Sequence, residues 1–166
     1  MTLNNDALIK KDRLRFTKNK LSANLTYLAI VVNALYFVNI YSSDVGTWYY
    51  KYLIGISVLY NLIFMLVAFL ASEGVKSYNL GYGVTLVVLG IGQLIRIFIL
   101  PTSAHTETIK LGDVEQIIMS DGQFILVTVY LIASAALCVI AGAVAIAKTT
   151  TLRAYEAELE KRGSKS

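Results

Sequence analysis

Four apolar stretches divide this chain of 166 residues, each about as long as the ~20 residues a helix needs to cross a bilayer. They cover residues 21–41, 50–71, 80–100 and 124–147. Hydrophobic residues make up 56% of the chain and charged residues 16%, so a water-soluble fold of this length would have more apolar side chain than its core could hide. The expected architecture is an all-α integral membrane protein, an up-down four-helix bundle. The same stretches imply three parts: a basic cytoplasmic N-terminal segment (1–20), a four-span transmembrane domain (21–147), and a cytoplasmic C-terminal helix and tail (148–166).

Charge placement predicts the orientation. Six basic residues, Lys10, Lys11, Arg13, Arg15, Lys18 and Lys20, precede the first stretch, and five more follow the last, starting at Lys148. The connection after the first stretch has none, that after the second only Lys76, and the long segment after the third only Lys110. The positive-inside rule then places both termini in the cytoplasm, and four spans agree with that parity. The expected location is the plasma membrane, with several passes. The first stretch exceeds a secretory h-region and lacks a small-x-small cleavage site, so it reads as an uncleaved signal anchor. The formal charge of +4 does not indicate nucleic acid, because the basic residues flank spans and do not line one folded face. The partners this pattern implies are the lipid bilayer and either another membrane protein or further copies of the chain.

Polar residues inside the spans are the exceptions that need a reason. Asn33 and Tyr36, three apart, share a face of the first span; Asn61 lies mid-way along the second; Gln93 and Arg96 stand in the third. An arginine at a helix centre costs roughly 2.5–3.5 kcal/mol by the insertion scale. Because Arg96 lies about one turn before Pro101, it is expected near the outer leaflet, level with Lys51 and above a layer of Asn33, Asn61 and Gln93. Its side chain leans toward the membrane centre, so it needs a partner within the bundle. No Asp or Glu occurs in any span. The candidates are backbone carbonyls, Tyr36, Asn39, Asp44 and lipid phosphate.

Two further places carry candidate partner contacts. Between residues 101 and 123, Asp113 and Gln116 have capping-box spacing, and Leu111, Val114, Ile117 and Ile118 would share a helical face. This predicts a short amphipathic helix over 114–120 on the outer surface. In the fourth span Ser134, Cys138 and Gly142 form a small-residue stripe suited to close packing, either within the bundle or against another protein. Beyond Lys148, Leu152, Tyr155 and Leu159 continue at helical spacing, either as an extension of the span or as a separate helix.

The motifs of catalysis do not accompany these features. The chain has no G-x-S-x-G, H-E-x-x-H, CxxC or phosphate-binding G-x-x-x-x-G-K-[ST], and its single His105 and single Cys138 are not positioned to form a pair. Neither cofactor nor metal is expected. The leading expectation is a non-enzymatic membrane subunit, an accessory, scaffold or regulatory component of a larger complex such as a transporter assembly. The rival is a small homo-oligomeric transporter or channel with a polar path near Asn33, Asn61, Gln93 and Arg96.

Overall fold

In each of the long helices, one stripe of residues recurs at alternating spacings of three and four, and that stripe is what the fold buries. The computed structural model describes the backbone of residues 2–41, 48–111 and 114–163, with side chains over 8–41, 55–108, 115 and 117–162. In chain order the elements are α1 (Thr2–Phe16), α2 (Lys20–Ile40), α3 (Trp48–Lys76), α4 (Leu80–Ile99), α5 (Pro101–Thr106), β1 (Thr108–Leu111), β2 (Val114–Ile117) and α6 (Asp121–Gly163). Four of these helical segments are long and apolar enough to cross a membrane.

The buried stripe of α2 runs Ser22, Thr26, Ala29, Asn33, Tyr36, Ile40; that of α3 runs Ser57, Asn61, Phe64, Ala68, Ala71, Val75. On α6 it runs Val127, Leu131, Ser134, Cys138, Ala141, Ala145. This spacing is the seam along which near-parallel helices interlock. Here the polarity is inverted relative to a soluble bundle. The interior holds Asn33, Asn61, Gln93 and Arg96, whereas Val38, Ile56, Val88 and Phe98 on the outer faces are each more than 60% exposed. Such a surface in water would be one continuous apolar patch, far beyond what soluble monomers show.

The helices pack in the cyclic order α2, α3, α4, α6, with the seam between α4 and α6 the most extensive and that between α3 and α4 the sparsest. Glycine explains the first. A Cβ on Gly90 would lie 2.9 Å from the Ala135 carbonyl oxygen, and one on Gly142 would lie 2.7 Å from that of Gly83. The two backbones therefore approach as closely as small residues permit.

One expectation needs correction. The helix over 114–120 does not form: residues 114–117 are β2, paired antiparallel with β1 in a register that sets Leu111 opposite Val114 and Thr108 opposite Ile117. Val114, Ile117 and Ile118 are β-branched, which favours extended backbone over helix. In the sequence, Gly112-Asp113 between T-I-K-L and V-E-Q-I is one of the dipeptides that join hairpin strands. The helix of the second apolar stretch continues past Ala71, because Ser72 and Val75 keep the buried spacing and carry α3 to Lys76. Residues 2–16 are helical, which their composition did not announce. Of the two readings left open for the tail, the structure has the continuous one: α6 runs 43 residues without a break.

Candidate functional site

The polar residues of three helices converge on one cluster. Asn33 on α2 is the hinge of it: its Oδ1 accepts from Gln93 Nε2 at 2.8 Å, and its Nδ2 donates to Asn61 Oδ1 at 3.1 Å. Arg96 extends the chain. Its Nη1 donates to Asn61 Oδ1 at 2.8 Å and its Nη2 to Ser57 Oγ at 2.6 Å, while Asn61 Nδ2 donates to the Ser57 carbonyl at 3.0 Å. The guanidinium carbon also stands over the Tyr36 ring at 4.3 Å and the Tyr60 ring at 4.9 Å. Arg96 is 5% exposed and Asn33, Asn61, Gln93 and Tyr36 are fully buried.

Local sequence explains the convergence. Ser57 and Asn61 are one turn apart on α3, and Gln93 and Arg96 are three apart on α4, so each pair faces one direction. Two hydrogen bonds at the ~0.6 kcal/mol typical between membrane helices, with two ring contacts at ~1 kcal/mol each, sum to roughly 3 kcal/mol. That is comparable with the ~2.5–3.5 kcal/mol an arginine costs in hydrocarbon. The cluster can hold Arg96 without an acid. Among the described residues Arg96 makes no ion pair, and Gln93 Oε1, although buried, has no hydrogen-bond partner.

All five residues expected to form a polar cluster, Asn33, Tyr36, Asn61, Gln93 and Arg96, are brought together. Of the partners considered for Arg96, Tyr36 is in contact, Asn39 instead donates to the Leu35 carbonyl at 2.9 Å, and Asp44 lies outside the described residues. Ser57 and Tyr60 were missed as members. The signal for Ser57 was its position four before Asn61, on the same face.

The residues expected to contact partners are placed differently. The side chains of Leu111 and Val114 lie outside those described, and Ile117 is exposed. Ile118 is buried with Tyr36, Ile40, Leu100 and Met119, sealing the hairpin end of the bundle. Ser134 donates to the Ala29 carbonyl at 3.1 Å and Gly142 packs on α4, so the small-residue stripe of α6 is consumed within the chain. Ile118, Ser134 and Gly142 make their contacts inside this molecule, and for the α6 stripe this is the within-bundle alternative of the two the sequence left open. His105 stacks on Phe124 with ring centroids 4.4 Å apart, close to Met119.

Beside the cluster, in the sparse seam between α3 and α4, is a cavity of about 210 Å³. Its walls are almost wholly apolar, built by Ile56, Ile95, Ile99 and Leu100, and Ser57 and Arg96 touch it only at its inner end. Among the described residues no group of three or more His, Cys, Asp or Glu is arranged to hold a metal. No protein-family model matches the chain, and none of the curated proteins or solved structures matches it.

Proposed function

We propose that this protein crosses the plasma membrane four times with both termini in the cytoplasm, and serves there as a non-enzymatic subunit of a larger membrane assembly. The observation that carries this reading is that the buried polar residues are bonded to one another across three helices. Residues that could line a path for a solute, Asn33, Asn61, Gln93 and Arg96, are hydrogen-bonded to one another across α2, α3 and α4. A core tied in this way holds helices in register and leaves recognition to the outer surfaces.

Those surfaces support docking on both sides. At one end lie the β1–β2 hairpin and the exposed Ile117. At the other, α6 is about 65 Å long by its residue count, roughly twice the hydrocarbon thickness, and α1 packs against it. Phe16 at the end of α1 is 80% exposed, beside the basic residues that favour an anionic leaflet. Purification from native membranes in mild detergent tests the reading. A stoichiometric membrane-protein companion is the expected result, and a partner-free protein that moves solute into liposomes by itself would end it.

The homo-oligomeric transporter or channel is the second reading, favoured by one observation: a buried cation that faces no acid among the described residues. Flux into liposomes compared between the wild type and Arg96→Ala separates the two. Flux that depends on Arg96 supports the transporter; no flux in the wild type removes it.

A further inference from the structure

We infer that the cavity between α3 and α4 binds a single-chain carboxylate, a long-chain fatty acid, with its carboxylate on Arg96 and its chain leaving through a mouth that faces lipid. The inference rests on the membrane-spanning part of the proposed function and is independent of whether the protein is a subunit.

Charge, size and access each narrow the occupant. Arg96 has five N–H donors and uses two of them, on Ser57 and Asn61, both neutral. A buried cation is ordinarily paired, and the partner that matches a guanidinium in geometry is a carboxylate, which accepts two parallel N–H bonds. The cavity holds about 210 Å³. That is above the ~150 Å³ that admits a benzene-sized guest and below the ~300 Å³ at which ordinary ligand pockets begin. It has room for a carboxylate and its first few methylenes. A glycerophosphate carrying two chains does not fit. The remainder of the chain must lie outside, and the wall residues Ile56, Ile95 and Ile99 are each more than half exposed on the outer faces of α3 and α4. The route out is therefore sideways, into hydrocarbon.

Gly92 sets the width of the site. A Cβ there would come within 2.8 Å of the Tyr60 hydroxyl, so a larger residue would push the Tyr60 ring from its place over Arg96 or close the cavity.

The test uses the full chain in nanodiscs of zwitterionic phosphatidylcholine and a palmitate analogue carrying a photoactivatable diazirine near its carboxyl end. Labelling is expected to saturate and to map to peptides containing Ile56 or Ile95. Unlabelled palmitate should compete about tenfold better than hexadecanol, whose chain is the same length but uncharged. Gly92→Phe should reduce labelling by a similar factor while circular dichroism stays unchanged. Equal competition by hexadecanol, equal competition by phosphatidylglycerol, or labelling spread over all four helices would each overturn the inference. These comparisons are made on the wild type, so they hold even where a variant fails to fold. Carbonate extraction of native membranes reads membrane crossing independently, which separates failure of the ligand from failure of the membrane reading.

Discussion

Asn61 and Arg96 are joined by one hydrogen bond, yet the two ends of it are not equivalent. Replacing Asn61 by Leu leaves a guanidinium in the core with one of its two acceptors gone, and Asn33 loses its acceptor as well. Replacing Arg96 by Met removes the charge itself; Asn61 keeps its bonds to Asn33 and to the Ser57 carbonyl. Stranding a buried charged donor costs more than removing it, so Asn61→Leu should destabilise by about 2–3 kcal/mol and Arg96→Met by about 1 kcal/mol or less. Unfolding of the detergent-solubilised protein in SDS measures both, and the reverse order would show that the ring contacts, not the hydrogen bonds, hold the cluster. At this scale much was legible in the sequence. Polar side chains in apolar spans must meet each other, so Asn33, Asn61, Gln93 and Arg96 could be grouped from depth alone. Ser57 was less legible, because serine can satisfy itself on its own helix and only its position four before Asn61 pointed to the cluster.

Among the elements, the seam between α4 and α6 depends on two backbones in contact. Gly142→Leu places a side chain where the Gly83 carbonyl oxygen already stands at 2.7 Å from a Cβ, and backbone cannot move aside as a side chain can. The expected loss is about 2–4 kcal/mol, in the range of severe overpacking. Gly55 on α3 is the converse: a Cβ there meets nothing within 4 Å, so Gly55→Ala should raise stability by about 0.5–1 kcal/mol through helix propensity and chain entropy. Thermal unfolding of the two variants under one condition compares them, and a destabilising Gly55→Ala would mean that its face is covered by a neighbour. The spans were readable because ~20 apolar residues admit few alternatives to a helix. The hairpin was not, since Leu111, Val114, Ile117 and Ile118 fit a helical face and two short strands equally well by spacing. The extent of α6 was ambiguous for another reason: the polarity changes at Lys148 while the helical spacing continues through Thr149 and Leu152.

For the whole molecule, the proposed orientation makes the two ends chemically distinguishable, and the chain carries the means to test it. Its one cysteine, Cys138, is fully buried between helices and should resist a membrane-impermeant maleimide until the protein is unfolded. The wild type is then a silent background for single introduced cysteines. Thr17, Glu160 and Glu107 are exposed, the first two at the end of the bundle that carries α1 and the tail, the third next to the hairpin. With both termini in the cytoplasm, Glu107→Cys should label in intact cells, while Thr17→Cys and Glu160→Cys label only after the membrane is opened. Two opposing forces set this outcome. The eleven basic residues at the two ends resist translocation, and the hairpin segment, with Lys110 as its only cation, crosses easily. Labelling of Glu107→Cys and Glu160→Cys from the same side would contradict a crossing by α6. Labelling of the two termini, and not Glu107→Cys, in intact cells would keep the four spans and invert them, moving the α3–α4 cavity from the outer half of the bilayer to the inner half.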